Sequence, residues 1–147
     1  MRHNKLATTG ISFLLLALPL NADDEPPIDK DDVYTLAQQF ASCAGLYDAL
    51  AQSVQDQIGN SAMVEQFKGM ANGAQITAQY VAQQAIDTEK AKEFASNGRK
   101  TFSASWGLRV DPEPDKAAQQ EMNICLELNP FQADVVERAR KKAYGFN

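Results

Sequence analysis

From Val33 to Val54 the large apolar residues return in alternating steps of three and four: Val33, Leu36, Phe40, Cys43, Tyr47, Leu50 and Val54. At 3.6 residues per turn, that stepping draws one stripe along a helix. Ala37, Ala41, Ala44 and Ala51 widen it on one flank and Leu46 on the other. Such a stripe has to be buried against other secondary structure. No segment shows the two-residue alternation of a half-buried strand. The expectation is therefore an all-α fold, a small antiparallel bundle of four to five helices.

The remaining helices follow from the same stepping and its punctuation. Helix one runs to about Ile58 and stops at Gly59-Asn60, residues that tolerate the left-handed end conformation. Ser61 is the candidate cap of helix two, whose Met63, Phe67, Met70, Ala74, Ala78, Val81 and Ala85 reach to about Ile86. Asp87 or Thr88 caps helix three, which carries Ala91, Phe94, Phe102 and Trp106, is weakened at Gly98 and ends at Gly107. Helix four begins at Pro112 or Pro114 and holds Ala118, Met122 and Cys125 inward. Asn129-Pro130 reads as a stop and a new start, giving a fifth helix with Phe131, Val135, Ala139 and Ala143 on one side.

The N-terminus has the order of a secretory signal: basic Arg2, His3 and Lys5, the apolar run Ile11 to Leu20, then Ala22 before the charges at Asp23, Asp24 and Glu25. The expected organisation is a cleaved signal peptide over 1–22, an acidic arm over 23–32 in which Asp29 or Asp31 caps helix one, and a single helical domain over 33–147. Removing Arg2 and Lys5 from the 14 basic residues leaves 12 against 19 acidic ones, a net charge of −7. Acidity of that size argues against nucleic acid and anionic membrane as partners. The apolar run is too short to span a bilayer, so no stable membrane insertion is expected after cleavage. The expected location is the periplasm or the extracellular space. In an oxidising compartment the cysteines, Cys43 and Cys125, are expected to form a disulfide that ties helix one to helix four.

Cleavage would also remove His3, the chain's one histidine. Without histidine there is no Ser-His-Asp or Cys-His site and no His-ligated haem or zinc, and two distant cysteines make no zinc cluster. No Cys-x-x-Cys pair and no glycine-rich phosphate loop is present. Asp111, Glu113 and Asp115 alternate like a calcium loop, but Lys116 stands where the turn glycine belongs and Met122 at the closing bidentate position. The expectation is no metal, no cofactor and no catalytic residue. A hydrolase using carboxylates alone would need a second acid across a cleft from Asp48, the one charge between Val33 and Gln55. Arg99, Lys100 and Arg109 are its candidate ion-pair partners.

The distribution of charge carries the functional expectation. Gly69 to Ile86 contains no charged residue, and helix one has Asp48 alone over its main length. The non-core positions are filled by Gln38, Ser42, Gln52, Ser53, Gln75, Gln79 and Gln83. Surface helices ordinarily carry more charge. Asp48, Gln75, Gln79 and Gln83 are thus the candidate partner-contact residues. Gly45, Gly69 and Gly73 are candidates for close helix packing, with Gly45 and Gly73 level if the hairpin turns at Gly59. Arg138, Arg140, Lys141 and Lys142 suit a helix C-terminus and form a second candidate, for an acidic partner. The sequence points to an exported, non-enzymatic protein of the inhibitor, immunity or envelope-adaptor type, whose partner is another protein or a second copy of itself. The alternative is a carrier of a small apolar ligand or lipid, with Met63, Phe67, Met70, Phe94, Phe102 and Trp106 lining its core.

Overall fold

The computed structural model describes residues 29–145. The signal peptide, His3 and most of the acidic arm lie outside the described residues. Four helices make up the domain: α1 (Lys30–Ile58), α2 (Ser61–Ala82), α3 (Thr88–Val110) and α4 (Lys116–Ala143). There is no strand among the described residues.

α1 is the axis around which the others pack. Every residue from Phe40 to Tyr47 is buried, so the helix is covered on all sides over two turns. Its apolar stripe faces its partners as the spacing predicts. The positions between are Ala, Ser and Gly, and these are covered as well. Phe40 and Leu46 are fully enclosed, and each contributes about 1.5–3 kcal/mol of apolar burial. Two core clusters lie along α1. One gathers around Leu46, Tyr47, Leu50, Val110 and the disulfide. The other surrounds Phe40, Ala78, Val81 and Ala91.

The helix ends show which punctuation prevailed. Asp29 caps α1 by accepting from the Asp31 N–H at 2.9 Å, so 30–32 belong to the first turn of the helix and not to the arm. Gly59 ends α1 in the left-handed conformation at φ 59°. Asn60, not Ser61, caps α2, accepting from the Met63 N–H. α2 stops at Ala82, and a turn carries the chain to Asp87, which caps α3. α3 runs unbroken through Gly98 and Gly107 to Val110, and Asp115 rather than a proline opens α4.

Helices four and five of the sequence reading are one helix. α4 continues through Pro130, although proline inside a helix costs about 3 kcal/mol. Packing on both sides of Pro130 offsets that cost. Cys125 is fixed upstream by the Cys43–Cys125 disulfide, and downstream Phe131 stacks on Phe40 with ring centroids 5.6 Å apart. Val135 is buried one turn further on. The disulfide spans 82 residues, a loop whose closure is worth about 4–5 kcal/mol in the chain-entropy model.

Candidate functional site

Asp48 lies at the junction of three helices. Its carboxylate takes a two-pronged ion pair from Arg99 of α3, Nε to Oδ2 at 2.5 Å and Nη2 to Oδ1 at 2.7 Å. Arg99 Nη1 also donates to Asn72 Oδ1 and Gln75 Oε1 of α2, at 2.8 and 2.7 Å. Of the three cations proposed for Asp48, Arg99 is the partner, and Gln75 belongs to the same knot. The Asp48 and Arg99 side chains are 26% and 20% exposed, so the pair is held largely out of water and pins α1, α2 and α3 together.

Two open hollows flank this knot, of about 520 and 330 Å³. Among the described residues Asp48 is the one carboxylate that lines either of them. A carboxylate-only hydrolase needs two, about 5–10 Å apart. The remaining lining includes Ser96, Lys100 and Ser103 on one side and Gln52, Gln55 and Lys68 on the other. Arg99 already has acceptors for three of its nitrogens, so its guanidinium is occupied within the protein.

A second polar cluster lies beside the disulfide, and the sequence reading did not find it. Trp106 Nε1 donates to Ser42 Oγ at 3.1 Å, and Ser42 Oγ donates to Glu121 Oε1 at 2.5 Å. Gln39 Nε2 donates to the same oxygen at 2.7 Å. The chain of bonds ties α1, α3 and α4. Glu121 comes within 4.8 Å of both cysteine sulfurs, a spacing seen at metal centres. Both sulfurs are consumed in the disulfide and offer no thiolate. Asp115, one of the alternating acids, caps α4 through the Ala118 N–H and pairs with Arg109 at 3.2 Å.

The glycines act at other seams than the one expected. A Cβ on Gly45 would come within 2.5 Å of Phe102 Cβ and Ser103 N, and one on Gly98 within 2.8 Å of Ala41 Cβ. These two glycines let α1 and α3 approach closely. Gly73 faces Gln132 of α4, not Gly45, and Gly69 faces open space.

Gln79 and Gln83 lie elsewhere, in a groove of about 710 Å³ between α2 and the C-terminal half of α4. α2 contributes Ile76, Gln79 and Tyr80, with Gln83 at its C-cap, and α4 contributes Arg138, Ala139, Lys142 and Ala143. Ile76 is 41% exposed although it is wholly apolar. Tyr80 also lines a smaller hollow of about 220 Å³, where Val33, Leu36, Val81 and Phe131 meet. The four partner-contact candidates therefore divide into two places: Asp48 and Gln75 in the ion-pair knot, Gln79 and Gln83 in the groove.

The residues considered for a ligand chamber divide between the two core clusters. Phe67, Met70 and Trp106 pack on the first core cluster, Phe94 and Phe102 on the second, and Met63 is 39% exposed. The chain matches no protein-family profile, and no curated protein or solved structure is found to be similar to it.

Proposed function

We propose that this is an exported, non-enzymatic helical protein that works through protein contacts, in the manner of an inhibitor, immunity protein or envelope adaptor, and that its docking surface is the groove between α2 and α4. The observation that carries the reading is the outer face of α2, uncharged from Gly69 onward. It leaves Ile76 and Tyr80 beside an open groove, with amides at Gln79 and Gln83 suited to a polar rim. Export is supported by the disulfide, since such bridges are rare where thiols are kept reduced. No helix among the described residues is long and apolar enough to cross a membrane.

The test uses affinity capture from envelope and secreted fractions with three forms of the full chain: wild type, the Gln79→Glu/Gln83→Glu double variant, and Gln52→Glu on the exposed face of α1. A protein retained by wild type and Gln52→Glu but lost by the double variant is the expected result. Retention of the same proteins by all three forms, or of none, would remove the reading.

A further inference from the structure

We propose that the groove takes one class of element, an amphipathic helix of another protein that carries carboxylates beside its apolar stripe. This rests on the docking role given to the groove above and adds the chemistry of the partner. The shape comes first. From Phe131 to Ala143 the α4 wall is about 18 Å long at 1.5 Å per residue, the length of about three helical turns. Tyr80 lines both the main groove and the smaller hollow, so the apolar floor is continuous past it. Ile76 and Phe131, 41% and 44% exposed, are anchoring points along that floor. An extended peptide gains its affinity from backbone hydrogen bonds to a free sheet edge, and both walls here are helices whose backbone groups are paired internally. A helix needs no such edge. It lays side chains spaced at three and four residues into the groove.

Charge selects the kind of helix. Arg138 and Lys142 line the groove, and no carboxylate among the described residues does. Arg140 and Lys141 line a separate hollow on another side of α4, where Lys141 pairs with Glu137 at 2.7 Å, so the groove's charge rests on Arg138 and Lys142. Arg138 pairs with Asp134 at 2.8 Å, but both side chains are more than half exposed, so the pair is readily traded for a better one. Lys142 has no ion-pair partner among the described residues. The chain as a whole carries a net charge of −5, which makes this groove a local positive site on a negative protein. At its other end the smaller hollow is lined by Asp32. A docked helix therefore places its acids at the Lys142 end and neutral or basic residues near Asp32.

The test uses two labelled amphipathic peptides of about fourteen residues, long enough to cover the wall. Both carry leucine on one stripe. One has glutamate and the other lysine on the flanks at the end that would meet Lys142. Fluorescence anisotropy against the full chain is expected to show the glutamate peptide binding about ten-fold more tightly, a preference that shrinks as salt rises. Arg138→Gln with Lys142→Glu is expected to abolish the preference, while Lys68→Glu, which removes a cation away from the groove, leaves it intact. Amide shifts on binding are expected at Ile76, Tyr80 and Ala139. Equal affinity for the two peptides, no binding of either, shifts confined to other helices, or a dimer of this chain that closes the groove would each overturn the proposal. If a captured protein is lost by Gln79→Glu/Gln83→Glu while the peptides bind alike, the partner's chemistry falls and the docking role stands.

Discussion

The stretch Val33–Gln55 of α1 and the stretch Gly69–Ala82 of α2 are both nearly free of charge, for opposite reasons. α1 is the axis of the bundle, and its small residues are covered by α2, α3 and α4. Charge is missing there because an unpaired charge in the core would be costly. α2 turns one face to α1, where Ala71, Ala74 and Ala78 are fully buried. Its other face meets α4 loosely, and Ile76 and the groove amides remain in contact with solvent. The same gap in the charge pattern marks a core in one helix and an open surface in the other. Burial separates the two, and it can be tested with single substitutions.

The largest effect is expected from placing a carboxylate on each helix. Ala44→Glu buries an unpaired charge at a position that is 0% exposed, and is expected to cost about 4 kcal/mol or more in urea denaturation. Gln79→Glu on α2 is expected to stay within about 0.5 kcal/mol. Equal costs would erase the distinction between the two faces.

Glycine replacements sharpen the comparison further. Gly45→Ala drives a methyl into the α3 backbone at Phe102–Ser103, which cannot rotate away, and is expected to cost about 3 kcal/mol. Gly69→Ala meets nothing within 4 Å and is expected to stabilise α2 by about 0.5–1 kcal/mol. Thermal unfolding of the two variants should move in opposite directions.

Asp48→Asn keeps the shape of the ion-pair knot and removes its charge. Arg99 is then left among neutral amides, and a loss of about 2 kcal/mol is expected in chemical denaturation. An unchanged midpoint would mean that Asp48 does not pin the three helices.

A further test concerns Tyr47, whose buried hydroxyl has no hydrogen-bond partner among the described residues. Tyr47→Phe is expected to stabilise the fold by about 1 kcal/mol. Burial pushes the Tyr47 phenol above its usual value, so the folded chain holds this proton more tightly than the unfolded one. Its contribution is therefore complete below about pH 10 and is lost as the pH rises further. Denaturation midpoints across that range should fall less steeply in Tyr47→Phe than in wild type.

Large residues made much of this fold legible in the sequence. The three-four stepping located the helices, Asp29 and Asp87 were among the named caps, and the two cysteines fell on facing stripes. What stayed hidden depended on small residues and on tertiary override. Ala, Ser and Gly suit a buried face as well as an exposed one, so the covering of α1 on all sides left no periodic signal. Gly98 looked like a weak point because its fit against Ala41 depends on a helix far away in sequence. Pro130 looked like a stop because the stacking of Phe131 on Phe40 is equally non-local. Gln75, Gln79 and Gln83 shared an uncharged run, but each step of four residues turns about 40° around the helix. Gln75 therefore reaches Arg99, while Gln79 and Gln83 reach the groove. The Glu121–Ser42–Trp106 cluster joins residues with no common motif.

The most direct test of the docking surface places a photo-crosslinking residue at Gln83 in the groove and, separately, at Gln52 on the exposed face of α1, in the full chain with its native partner fraction. The account predicts a defined protein adduct from position 83 and none from position 52. Adducts of equal yield from both positions, or an adduct from 52 alone, would contradict it.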